Sequence, residues 1–223
     1  MRNILKIVSL LTLPLFVSCE KDDNYYSLGD IWISLGFIDQ AENDNSFTIL
    51  LDNGDTLCPI ANAVPYFKAK DSMRVMANYT ILDEVDESPN KFFVKINNLY
   101  DILYKEIIPL TNNNSDSLGN DPIKIKDIWI SKNVLNVEFN YAGSEKIHYI
   151  NLAYSEVNFN ELNQPIELEF RHNANNDKGT FNLQGLVSFN LEKLKQSSSS
   201  DTISILVKSI DIDGQTQTFR GSF

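Results

Sequence analysis

Alternation of apolar and polar side chains runs through most of this chain, and helical spacing is scarce. A period of two places one set of side chains on a single face of a strand, so the pattern predicts an all-β protein. The first strand is Ile31 to Phe37, in which Ile31, Ile33, Leu35 and Phe37 alternate with Trp32, Ser34 and Gly36. Segments 46–51 and 56–60 flank Asp52-Asn53-Gly54-Asp55, where Asn-Gly favours a tight hairpin because both residues tolerate positive φ. Segments 74–85 and 92–97 complete five strands, which fit a small OB-like barrel. Segment 99–110 carries both helical and alternating apolar sets; its β neighbourhood favours an extended crossover.

The run Thr111 to Asn120 has Leu118 as its only large side chain and reads as a linker. Beyond it, segments 128–130, 135–141, 147–154, 165–171, 180–191, 202–212 and 216–220 predict a seven-stranded β-sandwich. Rows such as Leu135/Val137/Phe139 against Asn136/Glu138/Asn140 predict one face packed and the other wet. A helical turn at 191–196 and a mobile serine run at 197–200 interrupt the pattern. Asp30-Ile31-Trp32-Ile33-Ser34 recurs as Asp127-Ile128-Trp129-Ile130-Ser131. The echo predicts that each domain opens with a strand burying alternate isoleucines, with its tryptophan on the opposite face.

The amino terminus follows a different rule. Arg2 and Lys6 precede the apolar run Ile7 to Val17, the layout of a secretory signal and too short to cross a bilayer as a helix. Ser18-Cys19 at its end resembles a bacterial lipobox, which implies cleavage before Cys19 and acylation there. More than one acyl chain gives a stable anchor, where a single chain gives a marginal one. Glu20-Lys21-Asp22-Asp23 resembles the signal that sends such lipoproteins to the outer face of the outer membrane, with Lys21, Asp22 and Asp23 as its residues. The expected organisation is signal peptide 1–18, lipidated acidic tether 19–28, barrel 29–110, linker 111–120 and sandwich 121–223.

Charge narrows the partners. The whole chain carries 19 basic and 30 acidic side chains, −11 formally, and loss of Arg2 and Lys6 with the leader makes it more acidic still. Such a field repels nucleic acid, which is excluded as a partner. With Cys19 acylated, Cys58 is the sole thiol, so disulfide and multi-cysteine metal chemistry is not expected; Cys58 itself reads as a small buried hydrophobe. No cofactor or metal is expected. His148 and His172 are the only histidines; without a Gly-x-Ser-x-Gly elbow they read as structural. Asp211-Ile212-Asp213-Gly214 opens like a calcium loop but lacks the later acidic ligand, so it reads as a hairpin turn. Four Asp-Ser/Thr-apolar triplets centred on Thr56, Ser72, Ser117 and Thr202 resemble the O-glycosylation consensus of Bacteroides-type envelope proteins. The neighbouring aromatics Tyr66-Phe67 and Phe92-Phe93 offer platforms on which sugar rings stack.

Taken together, the lipobox, the DIWIS strands, FTILLDNGDTLCPI, RVMANYTILDE and KIKDIWISKNVLNVEFNY resemble the NigD-like lipoproteins of Bacteroides-type bacteria. That resemblance implies an OB-like barrel followed by a β-sandwich and transfers no catalytic residue. The expectation is a lipoprotein of the outer membrane, facing outward and anchored in the membrane by its lipid. It acts as a non-catalytic binding module for a glycan, an envelope protein or a secreted toxin. Alternatives are an accessory subunit of an envelope complex and, more remotely, a carboxylate-based hydrolase.

Overall fold

The computed structural model describes residues 26–40, 46–86, 88–155, 165–196 and 202–223. The leader, Cys19, the 21–23 signal and the serine run 197–200 lie outside the described residues.

β1 (Trp32–Asp39), β2 (Thr48–Leu51), β3 (Thr56–Asn62), β4 (Arg74–Glu84) and β5 (Lys91–Asp101) close into a barrel in the order β1-β2-β3-β5-β4. β3 and β5 run parallel and the other pairs antiparallel. The β2–β3 hairpin turns at Asn53-Gly54 as its sequence predicts, with Gly54 at φ 98°. Ile38, Ile49, Leu57, Val75, Ala77, Tyr79, Val94 and Ile96 fill the interior.

β1 enters this barrel with the face opposite to the expected one. Gly36 and Ile38 point inward, beside Val75 and Ala77 of β4, whereas Ile31 and Ile33 are 62% and 63% exposed. The reason is space. A β-carbon on Gly36 would lie 2.7 Å from the Leu50 carbonyl oxygen, so the barrel wall closes only over the row containing that glycine. The Ile33/Leu35/Phe37 row is left facing outward, alongside Met76 and Arg74.

After Asp101 the chain leaves the barrel without a linker. Ile102 is buried and donates its N–H to the Arg74 carbonyl, and β6 (Leu103–Glu106) and β7 (Ile108–Pro109) follow at once. Then come α1 (Ser115–Leu118), β8 (Lys124–Ser131), β9 (Val134–Gly143), β10 (Tyr149–Tyr154), β11 (Ile166–Asn173), β12 (Phe181–Asn190), α2 (Glu192–Gln196), β13 (Ser204–Ile210) and β14 (Thr216–Ser222). One sheet has the order β6-β12-β9-β8 and the other β14-β13-β11-β10-β7. The described sandwich therefore has nine strands rather than seven. The added two come from the 99–110 segment, which is extended as its surroundings suggested; residues 99–101 finish β5 of the barrel, and β6 and β7 belong to the second domain.

Two further expectations change with it. The segment 111–120 is not a free linker: Leu118 is buried, Arg171 and Asn173 donate to the Ser115 and Ser117 carbonyls, and Gly119 sits at φ 69° against His172 and Asn173. A β-carbon there would lie within 2.7 Å of that strand, so glycine permits the close approach. Asn136, expected on a wet face, is fully buried. The β9 interior row behaves as predicted: Leu135, Val137 and Phe139 join Leu168, Phe170, Val187 and Phe189 in the sandwich core.

Candidate functional site

Arg74 and Phe37 are register neighbours on the outer face of the barrel, and that face meets the outer face of the β6-β12-β9-β8 sheet. Arg74 is the largest fully buried side chain of the described residues. Its guanidinium donates from Nη1 to Asp52 Oδ1 at 2.5 Å and from Nη2 to Asp52 Oδ2 at 2.7 Å. Nη2 also donates to Asn136 Oδ1 at 2.9 Å, and Nε to Ser188 Oγ at 3.3 Å. Ser188 Oγ donates in turn to Asn136 Oδ1 at 2.7 Å. The Phe37 ring lies under the guanidinium, 4.7 Å from centroid to Cζ, and packs edge-on against Tyr104 of β6. Asp52 is a barrel residue, whereas Asn136 and Ser188 belong to the sandwich. One cation on β4 therefore fastens the β2–β3 turn of the barrel to β9 and β12 of the sandwich.

Beside this lock a cleft of about 690 Å³ opens between the domains. Ile33, Leu35 and Met76 form the barrel wall; Trp129, Leu186 and Gln184 form the sandwich wall. Its charged lining consists of Asp52, held by Arg74, and Glu138, which accepts from Lys126 at 2.5 Å and from Gln184 at 2.6 Å. The volume suits a small ligand or a few side chains of a larger one. The Nδ2 of Asn136, cross-strand neighbour of Trp129, has no hydrogen-bond partner and is buried.

A second polar cluster lies at one end of the sandwich. His148 Nδ1 and His172 Nε2 are 2.8 Å apart, His148 Nε2 is 3.2 Å from Asp177 Oδ2, and His172 Nδ1 is 3.1 Å from the Pro122 carbonyl. Burial pushes the Asp177 carboxyl upward, but N–H bonds from Ser144, Lys146 and Lys178 and the His148 contact overcome it and hold it at about 2. Burial lowers His172 below the ordinary histidine value. Nearby, Ser144 Oγ and Thr180 Oγ1 bond each other at 2.6 Å. The histidines thus bond each other, with the Asp177 carboxylate on His148 and the Pro122 carbonyl on His172.

The glycosylation-like hydroxyls are spread over the molecule. Ser72, Ser117 and Thr202 are exposed, and Thr56 is half-buried. Ser72 bonds Asp71 and Ser117 bonds the Asn114 carbonyl. Cys58 is half-buried rather than enclosed, because it lies on the outer side of β3 while Leu57 points in. Tyr66 is exposed, whereas Phe67 and Phe92 pack on the barrel core. Asp211 to Gln215 forms the β13–β14 turn, with Gly214 at φ 73°. No group of three or more His, Cys, Asp or Glu among the described residues could hold a metal ion, and no described helix is long and apolar enough to cross a membrane.

Reading the sequence missed Arg74, Asp52, Asn136 and Ser188 as a unit. One signal was available: an arginine opening a strand otherwise rich in buried positions needs a carboxylate partner.

Among solved structures, the chain is 31% identical to a toxin-related protein from Parabacteroides distasonis (TM-score 0.74, covering 87% of this chain and 93% of that one). It is 28% identical to a protein of unknown function from Bacteroides vulgatus (TM-score 0.75, 87% and 91%). It shares the fold, at 23% identity, with a NigD-like immunity protein from Bacteroides caccae (TM-score 0.65, 87% and 93%). No curated protein matches the chain. Family models match residues 36–102 as the NigD-like N-terminal OB domain and 106–220 as the NigD-like C-terminal β-sandwich domain, parting where the chain passes from β5 to β6. With both halves matched in order across a closed barrel and a sandwich, the chain belongs to the NigD-like family.

Proposed function

We propose that the chain is an outer-membrane lipoprotein, acylated at Cys19 and turned outward by Lys21, Asp22 and Asp23, that binds a partner in its interdomain cleft without chemical turnover. The cleft carries this reading. Its walls come from two domains, its base is held rigid by Arg74, and its apolar lining includes Ile33, which is 63% exposed. A preorganised apolar cleft binds without an ordering cost. The occupant that suits it is an apolar segment of a protein partner, and the toxin-related description of the Parabacteroides relative agrees with a secreted protein in that place. A glycan is the second reading, favoured by Trp129 standing beside Gln184 and Glu138.

Envelope proteins and toxins encoded near this chain, together with a glycan array, supply the probes, and Ile33→Arg with Leu186→Arg supplies the control. Loss of binding in that variant, with its folding intact, is expected. Undiminished binding by the variant would sink the cleft as the site. The anchor is tested separately: Cys19→Ala should move the protein from membranes to the soluble fraction. Replacing Lys21, Asp22 and Asp23 by alanine should leave it membrane-bound but shielded from external protease. Ser117, Ser72, Thr202 and Thr56 are proposed acceptors of O-linked sugar, Ser117 first among them, and the first three are exposed; intact-mass analysis of the native protein checks them.

A further inference from the structure

The cluster at the end of the sandwich has a donor–acceptor count that two neutral imidazoles cannot satisfy. The Pro122 carbonyl has no hydrogen to give, so His172 must donate from Nδ1. The extra proton belongs on His148, the ring that touches a carboxylate, which leaves His172 with a bare Nε2 that accepts from His148 Nδ1. Asp177 is an acceptor, already receiving the Ser144 N–H at 2.5 Å and the Lys178 N–H at 2.9 Å. His148 must therefore also donate from Nε2. A histidine donating from both nitrogens is an imidazolium. His148 and Asp177 are 4% and 5% exposed at their side chains, so the pair is screened from water.

We propose that Asp177, His148 and His172 form a proton-dependent latch in which His148 is the imidazolium and His172 stays neutral, tying the β9–β10 turn to the β11–β12 turn. The latch opens in two directions. Loss of the His148 proton at higher pH sets a bare nitrogen against either the carboxylate or the bare Nε2 of His172. Gain of a proton by His172 at lower pH sets two N–H groups against each other. The other groups facing the cluster do not substitute. Tyr141 of β9 offers its ring, 4.7 Å from His148 and 5.8 Å from His172. Asp121, ahead of β8, accepts the Ala174 N–H, and Lys146 Nζ is turned onto the Asn175 and Asn176 carbonyls. The turns so joined flank Ile147 and Phe181, both exposed, so the latch governs the order of an apolar end of the sandwich.

The chain has two histidines, so an imidazole nitrogen spectrum of the full-length protein labelled at histidine contains two spin systems. At pH 6 one should show both nitrogens protonated and the other a single Nδ1–H. Asp177→Asn removes the carboxylate charge that faces His148 Nε2, so His148 should become neutral at the same pH. In the unaltered protein, amides of Ser144 and Lys178 should exchange at least tenfold faster, after correction for intrinsic rate, once His148 has lost its proton; in Asp177→Asn that pH dependence should vanish. Two imidazoles in the same state at pH 6, or an unchanged His148 proton count in Asp177→Asn, overturns the latch.

Discussion

Two strands share a run of five residues and use it in opposite senses. In β8, Ile128 and Ile130 pack on the sandwich core and Trp129 turns outward into the cleft. In β1, Trp32 shares the barrel-interior side with Tyr79, and Ile33 turns outward into the same cleft. The cleft is thus walled by the isoleucine face of one copy and the tryptophan face of the other. The difference lies outside the shared letters. β1 continues into Gly36, whose missing side chain fits the tight inner wall, and β8 carries an irregularity between Ile125 and Asp127 that resets its faces. Identical local sequence does not fix which face is buried; the strand's neighbours do.

The comparison rests first on the seam that brings the two strands together. Arg74→Ala leaves Asp52 with no countercharge and Asn136 and Ser188 without their donor, a loss of about 3–5 kcal/mol by the usual cost of breaking a buried pair. For a chain of this size that lowers Tm by roughly 10 °C, measurable by differential scanning calorimetry. Retained stability would mean that the domains are held by something other than this cation.

The echo itself is broken by making one substitution twice. Ile130→Asn should cost about 2–4 kcal/mol, because a polar group enters the sandwich core without a partner. Ile33→Asn, at the equivalent letter of β1, should stay within about 0.5 kcal/mol, as surface changes do. Urea midpoints of the two variants decide it; equal losses would show that β1 is seated with its isoleucines inside. Gly36→Ala should then cost about 1–3 kcal/mol through overpacking against the Leu50 carbonyl, also read from urea unfolding.

The smallest expected effect concerns acid. Asp177 titrates near 2 when folded and near 3.8 otherwise, so its contribution is fully present above about pH 4 and fades as pH falls through 2. His172, held low by burial, adds loss in the same direction below its ordinary value of 6.5. The urea midpoint should fall between pH 4.5 and 2.5, and fall less in Asp177→Asn.

The sequence by itself determined the β class, the five strands of the barrel, the Asn53-Gly54 and Asp213-Gly214 turns and the interior row of β9. Each depends on contacts within a strand or across a tight turn, which local spacing encodes. It also placed 99–110 in extended structure but gave all of it to the barrel, since the backbone pairing of β6 and β7 with distant β12 and β10 has no local signature. Tertiary structure alone decided the rest: that the apolar row of β1 faces a second domain, that Asn136 is buried, that Arg74 from one domain finds Asn136 and Ser188 of the other, and that His148 and His172 meet Asp177. These are meetings of residues up to 114 positions apart, and their energies come from desolvation and pairing that arise only when two folded surfaces close on each other.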